Sequence, residues 1–247
     1  MHNNEPTEVD YLSFLSEMHQ TLESVEDFSF TDENHATLLG LHALLAHVVH
    51  LTKVGADLYA QGSYVPAFIL ARVALEHAVY AQLVSQHPSG FEGLIGLVTR
   101  SNAGAVKQAQ AVLEVPMEIL DALGESKTYE KVPEFTRFIH AVEAFSESDF
   151  LMLMYGNLSQ FVHPSNSLFN TYLPDGFESS EVSLEPKVQN ESRATHVMAF
   201  SLALALGAFD ARTQSDQFAA NIRTKAMKLG LQLMLKMKAK GENGEEI

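Results

Sequence analysis

The chain has 247 residues, and 31 acidic side chains against 16 basic ones give it a formal charge of −15. Hydrophobic residues make up 46%, the share of an ordinary globular protein. The absence of Cys excludes a disulfide framework, a thiolate zinc site, an iron–sulfur cluster and a cysteine nucleophile, and the acid excess argues against a broad basic surface for DNA or RNA.

In chain order, the apolar spacing is helical almost throughout. Tyr11, Leu12, Phe14, Leu15, Met18, Leu22 and Val25 recur at three- and four-residue steps and predict an amphipathic helix. Thr31-Asp32-Glu33-Asn34 is a capping signal that opens a long helix to about Gln61. Gly62 breaks it, and Ser63 caps a third helix that tolerates Pro66 in its first turn and runs to about Gln86. Phe91 to Leu123 reads as one or two shorter helices interrupted at Pro116, and Lys127 to Pro133 as a loop. Glu134 to Phe145 and Asp149 to Val162 predict two more helices, the second stopped at His163-Pro164 because Pro disfavours helix at the residue before it. Residues 164–188 carry Pro164, Pro174, Asp175-Gly176 and Pro186; with Leu168 to Leu173 and Val182 to Leu184 extended, they predict a small hairpin or an irregular, ordered lid. A helix returns from Glu191 to about Arg212, and a last one spans Asp216 to Lys238. Residues 241–247 read as a disordered tail. There is no internal repeat and no alternation of strands and helices, so the expectation is an all-α helical bundle in a single domain over residues 1–240.

The first residues lack a basic region followed by an apolar run, so no secretory leader is expected. The greasiest stretch, Val65 to Val84, is interrupted by Arg72, Glu76, His77 and Gln82, so no membrane span and a cytoplasmic location are expected. Charge is unevenly placed. No Lys or Arg precedes Lys53, whereas Arg223, Lys225, Lys228, Lys236, Lys238 and Lys240 follow one another with no acid between them. Such ends either pair within the molecule or across a dimer, or form a basic helix for RNA or a membrane surface. Pairing is the favoured reading.

Polar groups interrupt two otherwise apolar helices. Arg72 and Glu76 are four apart in a segment that is hydrophobic all round, so they share a face and can meet as an ion pair. Tyr155, Ser159 and His163 follow at steps of four, with Asn157 beside them. If the two helices pack together, Arg72, Glu76, Tyr155, Asn157, Ser159 and His163 form one buried polar network or line a small pocket. The same groups suggest catalysis: His163 as general acid or base with Arg72 stabilising phosphate charge, or Ser159, His163 and Glu76 as nucleophile, base and orienter. A mid-helix Ser lacks the exposed elbow the second arrangement needs. Among the eleven histidines, His47 and His50 lie three apart, with His42 and His77 candidates to join them. No Glu-x-x-His repeat occurs at matched positions of two helices, so neither a metal site nor a cofactor is expected.

Arg72-x-x-x-Glu76 inside a buried helix, followed by Leu158-Ser159-x-x-Val162-His163-Pro164-Ser165, resembles bacterial helical proteins of the HEPN superfamily (higher eukaryotes and prokaryotes nucleotide-binding domains). The resemblance covers mainly residues 60–85 and 150–166. It implies a helical bundle, commonly homodimeric. Many members are metal-independent ribonucleases of toxin–antitoxin, antiphage and CRISPR systems, with an Arg and polar residue followed by a His. His163 matches that His, but the Arg is missing, since positions 156 to 158 are Gly156, Asn157 and Leu158. The resemblance therefore implies a component of a bacterial defence or stress module that binds a protein partner or a nucleotide. Its alternatives are a divergent ribonuclease using His163, Arg72 and Glu76, and a scaffold assembled through Met227, Met234 and Met237.

Overall fold

The computed structural model describes residues 5–23, 35–112, 132–163, 165–173, 192–213 and 216–239. Within them the chain is all-helical, as expected, with no strand among the described residues. The helices are α1 (Glu8–Glu23), α2 (His35–Ala60), α3 (Tyr64–Gln86), α4 (Gly90–Val112), α5 (Phe138–Glu143), α6 (Ser148–Ser159), α7 (Asn166–Tyr172), α8 (Ser192–Asp210) and α9 (Asp216–Lys228). A 3-10 turn, Pro133–Phe135, precedes α5. The capping signal at Thr31 to Asn34 and the tail at 241–247 lie outside the described residues.

Helix α8 is the centre of the molecule. Ala194, Thr195 and every residue from Val197 to Phe209 are buried, so it is enclosed on all sides, as a helix apolar all round must be. It packs against α1, α2 and α3. The apolar run from Val197 to Leu206 is thus buried inside one chain. Helices α2 and α3 are long and apolar enough to cross a membrane by length and composition. Here they pack against each other and against α8.

Two expectations are corrected. Leu168 to Tyr172 is helical, not extended: Ser165 caps α7, its Oγ accepting from the Leu168 amide at 3.1 Å. Residues 174–188 lie outside the described residues. The last helix stops at Lys228, ten residues earlier than its periodicity predicts. Gly230 adopts φ of +67°, a left-handed conformation that ends a helix at little cost. Residues 231–239 then run as an extended strap into the core. Gly207 lets it in, because a Cβ there would run into the Leu233 carbonyl. Gln82, 0% exposed, holds the strap. Its amide donates to the carbonyls of Leu204 (2.7 Å) and Leu233 (2.8 Å), and its oxygen accepts from the Leu235 amide (3.0 Å). Gln86 donates to the Leu235 carbonyl at 3.0 Å.

Part of the uneven charge pairs within the molecule. Lys225 bonds Glu17, Arg223 sits 3.6 Å from Asp210, and Lys53 sits 2.5 Å from Glu23. Acidic α1 and basic α9 are thereby neighbours in the fold.

Candidate functional site

Helices α3 and α6 run antiparallel. Phe68 stacks on Phe161 with ring centroids 4.4 Å apart, and further along α3 Arg72 meets Tyr155, further back along α6. The Arg72 guanidinium lies 4.6 Å from the Tyr155 ring centroid and donates to its hydroxyl. The same guanidinium is 3.3 Å from the Glu76 carboxylate. The pair is mostly buried, with 15% and 26% of the two side chains exposed. Tyr155 is held from below by Phe138, at 4.5 Å between centroids. Tyr80 joins the cluster. Burial first, and then the negative charge of Glu76, pushes its hydroxyl up to about 12, so it stays protonated.

The rest of the predicted network does not assemble. Ser159 turns its hydroxyl back onto its own helix, donating to the Tyr155 carbonyl at 2.7 Å. His163 lies beyond the end of α6, exposed, and its side chain makes no hydrogen bond to a described residue. Asn157 points to a different place. The sequence pattern assumed that steps of four keep one stripe, but the helix ends at Ser159 and its continuation turns away. Arg72 therefore has a carboxylate and a phenol as neighbours, and an incoming phosphate would have to displace Glu76.

Asn157 belongs to a pocket of about 240 Å³ between α6, α3 and the start of α8. Its walls are apolar: Phe68, Phe150, Leu153, Met154 and Phe161 among them. Phe150, Met154 and Asn157 fall on one face of α6, Phe161 comes from the turn that follows it, and Arg193, His196 and Val197 fall on one face of α8. The edge-to-face pair Phe150–Phe200, 5.7 Å between centroids, joins these two helices. Leu153, 64% exposed, forms part of the rim. Three polar groups converge here. Arg193 is exposed, and neither it nor Asn157 has a side-chain hydrogen bond to a described residue. His196 is half-buried, stacked on Tyr11 of α1 at 4.8 Å. Burial holds its imidazole below the usual range, so it is neutral at pH 7. An apolar pocket with a few convergent polar groups is the general form of a small-molecule site.

Arg193 and His196 escape a reading of the sequence alone. Their spacing of three, at the head of an apolar run, is the one signal they leave. Among the described residues no group of three or more His, Asp or Glu side chains is placed to hold a metal ion. No family model, no curated protein and no solved structure matches this chain.

Proposed function

We propose that this chain is a binding protein rather than a ribonuclease, and that its ligand site is the pocket between α6 and α8. The observation that carries the proposal is the convergence of Asn157, Arg193 and neutral His196 on an aromatic and aliphatic wall. Drug-sized ligands occupy pockets of about 300–1,000 Å³. A volume near 240 Å³ suits one ring system, with any further part of the ligand outside. The ligand class is an aromatic or aliphatic ring carrying an anionic group, the ring against Phe68, Met154 and Phe161 and the anion toward Arg193. A nucleotide meets that description, with its base inside and its phosphate at the rim. This agrees with the nucleotide-binding role that the HEPN-like resemblance implies, and service in a defence or stress module belongs to the same proposal.

The exposed His163 and the Glu76-paired Arg72 weigh against catalysis. Two measurements on the full chain decide between the readings. Titration with AMP is expected to give saturable binding that weakens at least tenfold in Arg193→Gln, about 1.4 kcal/mol. Incubation with a short RNA in chelator is expected to give only background cleavage, the same in His163→Ala and Arg72→Ala. Cleavage that disappears in His163→Ala would restore the ribonuclease reading.

A further inference from the structure

The histidines on the outer face of α2 and α3 lie outside the pocket and outside the Arg72 cluster. His47 of α2 and His77 of α3 meet across the helix pair, ring centroids 4.6 Å apart and planes at 65°. Their nitrogens do not satisfy each other. The Nδ1 of His77 lies 2.8 Å from the Val73 carbonyl, one turn back on its own helix. A carbonyl only accepts, so Nδ1 carries the proton and Nε2 keeps a bare lone pair. No hydrogen bond to a described residue engages the ring nitrogens of His47. A backbone carbonyl fixing one ring nitrogen while the other stays free is how proteins orient a metal-binding imidazole.

The spacing suits a shared ion. Two imidazoles on one tetrahedral zinc, with bonds of about 2.1 Å, place their ring centroids roughly 5 Å apart. The two rings here already stand close to that separation. Both helices are long and packed together along their length, so the two Cα positions are held. We propose that His47 and His77 form a two-imidazole site for a borderline divalent transition-metal ion, with zinc the representative, whose other coordination positions are open to water. His47 is exposed on α2, so water can reach the remaining coordination positions. His50 lies one turn along α2 and is exposed. An ion held by both rings would tie α2 to α3.

The test is calorimetric titration of Zn²⁺ into the full, untagged chain at pH 7.5, with Mg²⁺ in parallel. One tight equivalent of Zn²⁺ is expected, and no Mg²⁺ binding, because a hard cation prefers oxygen ligands. His47→Asn and His77→Gln, each melted without metal to confirm folding, are expected to weaken that equivalent at least tenfold, and His50→Asn to leave it. Zn²⁺ should also raise the melting temperature of the unaltered chain and fail to raise that of His47→Asn. Tight binding that survives His47→Asn or His77→Gln overturns the proposal, as does a chain that takes up no Zn²⁺.

Discussion

A single residue, Arg72, shows how context decides what a charged side chain does. Its apolar neighbourhood and the four-residue step to Glu76 announce a paired, buried charge, and the structure holds that pair at 3.3 Å. The third member could be seen only as a stripe. Tyr155 belongs to the cluster, while Ser159 bonds back to its own helix and His163 lies beyond the end of α6. Tyr155 supplies the hydroxyl that Arg72 donates to, and the ring over which the guanidinium lies. Tyr155→Phe keeps the ring and removes the acceptor, leaving part of a buried cation unsatisfied. It is expected to cost about 1–3 kcal/mol in urea unfolding. An unchanged midpoint would mean that the Tyr155 hydroxyl does not stabilise Arg72.

At the scale of elements, helix positions were legible and their ends were not. The sequence periodicity places α3, α6 and α8 within a few residues of where they lie. It carries the last helix on to Lys238, because Leu231, Leu235 and Met237 keep an apolar rhythm. That rhythm instead marks a strap buried in the core, with Gly230 as the turning point. No local pattern could show that Gln82, in mid-helix, exists to satisfy backbone groups some 150 residues away. Met227, Met234 and Met237 are consequently not one helix face: Met227 closes α9, 73% exposed, and Met237 packs on the core beside the bridge to Phe145. Gln82→Leu would remove the partners of the Leu233 carbonyl and the Leu235 amide in the strap, and the second donor to the Leu204 carbonyl, which keeps its own helical bond. On the order of 3–5 kcal/mol of stability is expected to be lost, a severe loss for one side chain. A loss below about 1 kcal/mol would show that the strap is not held through Gln82.

Across the whole molecule, α1 is joined to the core through two neutral histidines. His19 places Nε2 3.0 Å from the Thr52 hydroxyl, which itself donates to the Val48 carbonyl, so the imidazole is the donor. His196 lies flat on Tyr11. Burial above all holds both imidazoles below the ordinary value near 6.5, with Lys53 adding to the effect at His19 and Glu23 and Asp57 opposing it. Between the folded and unfolded values the unfolded chain takes up protons that the folded chain refuses, so stability rises with pH there. It is fully present above about pH 6.5 and is lost as the pH falls below that value. The urea midpoint is expected to drop between pH 7.5 and pH 5.5, and less steeply in His19→Gln. A flat profile over that window would contradict the docking of α1 through neutral rings.

The pocket is the part of the molecule that sequence left darkest, because it lies between residues far apart in the chain. Asn157 was visible as a polar interruption, but Arg193 and His196 gained meaning only once α8 was placed beside α6. The chain has no Trp, so Phe150→Trp introduces a single reporter at the pocket wall. The central claim is tested most directly by titrating AMP into that variant and following its emission. The account predicts a saturable change that is at least tenfold weaker when Arg193→Gln is added. Emission that does not respond to AMP, or responds equally with and without Arg193→Gln, would contradict it.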